Sequence, residues 1–196
     1  MPKSNAPSAE LPLHFGGPDE WAAWLKAHHA DSPGVWLRIA KAGAARPSIS
    51  HPQALDLALC YGWIDARSMS DGPHHWLKRF TPRASRSIWS KINRDKVLAL
   101  IVEGRMQPAG LKEIERAKAD GRWEAAYDPG SKSKVPPDLQ AALDADPAAK
   151  AFFATLDSQN RYSVLFRLQT AKRADTRARR IETFVAMLAR GEKLHP

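Results

Sequence analysis

Two strand-forming runs, WIDARSMS over 63–70 and HHWLKRF over 74–80, flank Asp71, Gly72 and Pro73. Turn residues between two such runs specify an antiparallel hairpin, because the chain must reverse where its β-branched and aromatic residues give way to Gly and Pro. A third run, VWLRIA over 35–40, alternates into Lys41 after the helix-stopping Gly34 and reads as one more strand. About three antiparallel strands cannot make a core alone, so the remaining chain must cover them.

The cover is helical. Pro18 opens PDEWAAWLKAHHA with Asp19 and Glu20 at the positive end of the dipole and Trp21, Trp24 and Leu25 on one face. Ser50 and Pro52 begin a second helix that Gly62 ends. Ser87 reads as the N-cap of a long helix over 88–103, whose VLALIV half is apolar all round and is expected to be deeply buried. Pro108 starts another helix, which Gly121 stops. DPGSKSK at 128–134 is the clearest linker pattern, and beyond it every segment is helical; Ile181, Phe184, Val185 and Leu188 give the last helix its apolar stripe.

The expected fold is therefore α+β: a small antiparallel sheet of about three strands covered by helices, with a C-terminal helical subdomain. The expected layout is a flexible N-terminal arm over 1–14, an α+β domain over 15–127, a linker over 128–134, and the helical subdomain over 135–196, packed on the first.

Charge is concentrated. Between Trp76 and Lys96 stand Lys78, Arg79, Arg83, Arg86, Lys91, Arg94 and Lys96 against the single acid Asp95, in a chain of formal net charge +9. A pI near 9.9 favours anionic partners or serves solubility alone. The one cysteine, Cys60, cannot form an internal disulfide, which points to a reducing compartment and hence the cytoplasm. The first residues contain no apolar leader, and no run approaches the roughly 20 apolar residues that cross a bilayer, so neither signal peptide nor membrane span is expected.

The leading candidate site is the hairpin-to-helix junction. Arg79 and Arg83, in RFTPR, stand just before a helix expected to begin after Ser87, where guanidiniums and amide donors together suit a carboxylate or phosphate. Lys41 is a further charge partner. Asp65 gives the competing reading, in which it pairs with Arg79 or Arg83 and fixes the hairpin. Trp89 and Asn93, four apart, share a helical face; exposed, they would stack on and hydrogen-bond a planar ligand, and buried, they are core. The basic run and the basic last helix leave a nucleic-acid-binding module as the alternative function.

Chemistry beyond binding is not written in the chain. Cys60 lacks a base at helical spacing, since His51 is nine residues away. His74 and His75 lack metal-ligand spacing, so no metal is expected. Walker loop, dinucleotide glycine pattern and G-x-S-x-G elbow are all missing, so no cofactor is expected and the question of an enzyme stays open.

Taken together, ALCYGWIDA, RFTPR followed by SIWSKIN, GRWEAAY, VPPDLQAALDADPAAKAFFATL and TRARRIETFVAML resemble the bacterial YdeI/OmpD-associated, or bacteriocin-protection, family over about residues 15–188. The resemblance implies a role in stress resistance. Its name also implies association with a porin, for which an export signal would be required.

Overall fold

The computed structural model describes residues 11–130 and 132–196, and the chain divides into two compact units. The first holds the residues up to Trp89 together with Asn93–Ala125; the second holds Ser90–Ile92 and Ala126–Pro196. Of the arm expected over 1–14, residues 1–10 lie outside the described residues, while Leu13 forms a parallel bridge to Leu37 through bonds to Trp36 O and from Arg38 N.

The first unit is a three-stranded antiparallel sheet of order β1 (Val35–Ala40), β3 (His75–Pro82), β2 (Trp63–Asp71), so the fold is α+β. The hairpin turns at Gly72, whose φ of +74° is the left-handed conformation that glycine adopts without strain. A bulge between Asp65 and Ser68 shifts the register of β2 against β3.

Helix α1 (Pro18–His28) buries Trp21 and Leu25, and the Trp21 indole donates to Ala54 O at 3.1 Å. That bond ties α1 to α2 (His51–Cys60), where the Ser50 amide donates to Gln53 Oε1 at 3.1 Å, closing the N-terminus. Trp21, Trp24, Trp63 and Phe80 form the aromatic centre, with Trp21 and Trp24 stacked at 5.2 Å.

Helix α3 (Lys91–Val102) begins later than the Ser87 cap predicts. Tertiary pairing outcompetes the local cap: Ser90 bridges Tyr127, Lys91 N donates to Tyr127 O, and Trp89 is buried in an extended approach. Nor is VLALIV buried throughout. Val97 and Leu100 point inward, whereas Leu98, Ile101 and Val102 are exposed, Val102 at 89%.

Helix α4 (Pro108–Ala119) meets α2 at a joint without a side chain. A Cβ on Gly110 would lie 2.2 Å from Cys60 O, and Gln107 N donates to the same oxygen at 3.1 Å. Cys60 itself is buried and unpaired.

The second unit contains α5 (Pro137–Asp144), α6 (Pro147–Thr155), α7 (Ser158–Gln169) and α8 (Ala174–Ala189). Asp146 and Asp157 cap α6 and α7 by accepting from Ala149 N at 3.0 Å and Asn160 N at 2.7 Å. The core comes from Leu139, Leu143, Phe153, Leu168, Ile181, Phe184 and Leu188. Each such side chain contributes roughly 1.5–3 kcal/mol on burial. Among the described residues no helix is long and apolar enough to cross a membrane.

Candidate anion-binding cavity

A cavity of about 350 Å³ in the first unit opens where α1 and α2 end, β3 stops and α4 passes. Its walls carry Arg83, Lys112, Arg116, Glu113, His29 and Tyr61. Three cations therefore face one carboxylate.

Local geometry follows from Gly62, which ends α2 with φ +76°. A Cβ there would lie 2.9 Å from Glu113 Cγ and 3.0 Å from Ala109 O, so the missing side chain lets α4 approach. The carbonyl of Gly62 accepts from Arg83 N at 3.0 Å, fixing the residue that follows β3. Across the opening, Trp63 Nε1 donates to His29 O at 3.0 Å and holds the end of α1.

His29 places Nδ1 2.9 Å from Leu25 O. A carbonyl only accepts, so Nδ1 carries the proton and Nε2 of a neutral ring is the acceptor. The Tyr61 ring lies 5.1 Å away, and burial pushes its phenol pKa up, keeping it a neutral donor.

Arg116 reaches the Glu113 carboxylate and, through Nη2, donates to Ala84 O at 3.1 Å. Its Nε is buried and has no hydrogen-bond partner among the described residues. Arg83 is only 6% exposed, donates to Ile88 O at 3.3 Å and lies over the Trp89 ring.

The other expected site residues lie elsewhere. Lys41 donates to Gly72 O at 3.0 Å beside the hairpin turn, whereas Arg83 follows the opposite end of β3. That strand length, on the order of 25 Å, keeps them apart. Arg79 sits opposite Trp36, 5.9 Å from its ring, and does not line the cavity.

Asp65 takes Lys78 at 2.8 Å and His51 at 3.0 Å as its partners. Burial alone would raise its pKa, but the hydrogen bonds from His51 and Lys78 outweigh it and hold the group at about 2. Trp89 is buried against Trp123, with rings at 5.1 Å, and precedes α3, while Asn93 lies within it; they do not share a helical face.

Sequence reasoning missed His29, Tyr61, Lys112 and Arg116. A signal existed for α4: Ala109, Lys112, Glu113 and Arg116 follow the i, i+3, i+4, i+7 spacing of one helical face, and all four line the cavity.

Four cations of the basic run have local partners. Lys78 pairs with Asp65, Lys91 with Asp128 and Lys96 with Asp56, while Arg94 donates to Trp123 O. In the last helix Arg177 is bonded to Asp138.

This combination defines a two-unit α+β protein with a basic cavity in its sheet-bearing unit. Residues 13–113 match the family described as a domain of unknown function (DUF8412), and residues 132–191 match the family described as bacteriocin-protection, YdeI or OmpD-associated. The chain belongs to the DUF8412 family, and its C-terminal helices carry the YdeI/OmpD-associated domain. Comparison with curated proteins and with solved structures returned no match.

Proposed function

We propose that the protein binds a small anion in the cavity at the hairpin-to-helix junction, with Arg83, Lys112 and Arg116 as charge partners. The observation that carries this reading is a cavity wall that brings together three cations, Arg83, Lys112 and Arg116, against the single carboxylate of Glu113. The surplus positive charge suits a carboxylate or phosphate. Tyr61 supplies a neutral donor and Trp63 an apolar side. The volume suits a compact ligand such as a phosphate monoester or a di- or tricarboxylate.

The wider reading is a stress- or resistance-associated role in the cytoplasm. Its first part is supported by the description of the family matched at 132–191, and its second by the unpaired, buried Cys60. The test is a fluorescence titration with inorganic phosphate and citrate at low and moderate salt, comparing the natural chain with Lys112→Gln and Arg116→Gln. Saturable binding that tolerates moderate salt and weakens at least tenfold in both variants is expected. Titrations that reveal no saturation, or equal affinity in all three proteins, would remove the reading.

A further inference from the structure

We infer that the C-terminal unit has its own ligand site, for a phosphorylated small molecule with an apolar body, in the cavity beside the start of α5. The cavity is about 600 Å³ and is lined by Lys132, Lys134 and Arg177 on its charged side and Val135, Pro136 and Pro137 on its apolar side. That size falls within the range of small-molecule sites and exceeds what a bare inorganic ion requires.

The loop presenting the two lysines is anchored at several points. Gln169 accepts from Asp128 N at 2.9 Å and donates to Ser133 Oγ at 2.5 Å. Tyr162 donates to Asp128 O at 3.3 Å, and its ring lies against Gly130, where a Cβ would stand 3.2 Å from it. Lys132 N closes a turn onto Pro129 O at 2.9 Å. These bonds hold Asp128, Lys132 and Ser133 in place before a ligand arrives, which lowers the ordering cost of binding.

The charges at the cavity do not cancel. Asp128 is paired with Lys91 at 2.7 Å, and Arg177 with Asp138 at 2.6 Å. Lys132 and Lys134 have no ion-pair partner among the described residues, so the cavity keeps two positive charges. Arg177 uses one N–H of Nη1 on Leu168 O and one of Nη2 on Asp138, which leaves a second N–H on each terminal nitrogen.

Helix-end recognition contributes little here. Pro136 and Pro137 lack N–H groups, and Asp138 Oδ1 already accepts from Leu139 N at 2.9 Å. Binding therefore rests on side-chain cations, which suit the several anionic oxygens of a phosphate chain, while Val135 and the prolines form a wall for a ring or hydrocarbon group.

The test is calorimetric titration of the full chain with inorganic triphosphate and with adenosine triphosphate, using Lys112→Gln, which weakens the first cavity, and the same protein carrying Lys132→Gln/Lys134→Gln in addition. The two loop lysines are exposed, so adding the pair leaves the melting temperature unchanged. Both probes are expected to bind the Lys112→Gln protein, adenosine triphosphate more tightly, with affinity falling at least tenfold when the loop pair is added. Equal affinity with and without the loop pair overturns the site, as does no binding of either probe to the Lys112→Gln protein. Equal affinity for the two probes overturns the apolar subsite.

Discussion

The guanidinium carbon of Arg83 lies 3.6 Å from the centre of the Trp89 ring. A desolvated cation over an indole face contributes about 2 kcal/mol, and here the same indole also meets Trp123 edge-on. Arg83→Met, which keeps the aliphatic stem, is expected to lower stability by about 1–2 kcal/mol and alter tryptophan emission. Arg83→Lys should fall between the two, since ammonium lacks the planar stacking surface. Urea denaturation followed by fluorescence measures both; an unchanged midpoint in the Met variant would show that the stack contributes nothing.

Asp65 makes stability depend on acid. Its folded pKa of about 2 is below the ordinary 3.8, so the stabilisation is fully present above 3.8 and is lost as pH falls toward about 2. A difference of this size corresponds to roughly 2 kcal/mol. Asp65→Asn should be less stable than the natural chain near neutrality by about that amount, and the two should converge near pH 2. Parallel curves at every pH would exclude the Lys78–Asp65–His51 cluster as their source.

Gly110 tests the joint between α2 and α4. An added Cβ would stand 2.2 Å from Cys60 O and 2.8 Å from Met106 Cε. Backbone cannot yield as a flexible side chain does, so Gly110→Ala is expected to cost about 3 kcal/mol or more. Gly17→Ala, with nothing within 4 Å of the added atom, should cost less than about 1 kcal/mol. Denaturant midpoints of the two variants supply the comparison, and equal midpoints would mean that α4 shifts freely.

Two leucines on α3 separate burial from composition. Leu100 is 3% exposed and Leu98 is 47% exposed. Leu100→Ala should cost about 2–5 kcal/mol, and Leu98→Ala less than about 1. Thermal melts of both variants decide whether the outward face of this helix is idle in the stability of the chain, and an equal loss in the two would show that it is not.

Much of the architecture was legible because punctuation and period agreed. The strand over 35–40, the hairpin about Gly72, and the helices opened by Pro18 and Pro108 all stand where Pro, Gly and apolar spacing place them. Helix α3 escaped because Ser87 offers a good cap, yet Ser90 gains a partner in Tyr127, thirty-seven positions on, that no local pattern announces. VLALIV misled because an all-apolar run has no period by which to tell inside from outside. At the cavity, Arg83 was visible as an arginine after a strand-ending proline. Its companions on α4 became companions only when Gly62 let that helix close in.

Cys60, whose carbonyl meets Gly110 at the α2–α4 joint, has a buried thiol, and burial pushes its pKa above the usual cysteine range. Folded protein should therefore ignore an alkylating reagent until the end of α2 opens. The lone sulfur thus works as a clock: its labelling rate, set against that of a free thiol, counts the fraction of molecules open there at any instant, without a probe being introduced.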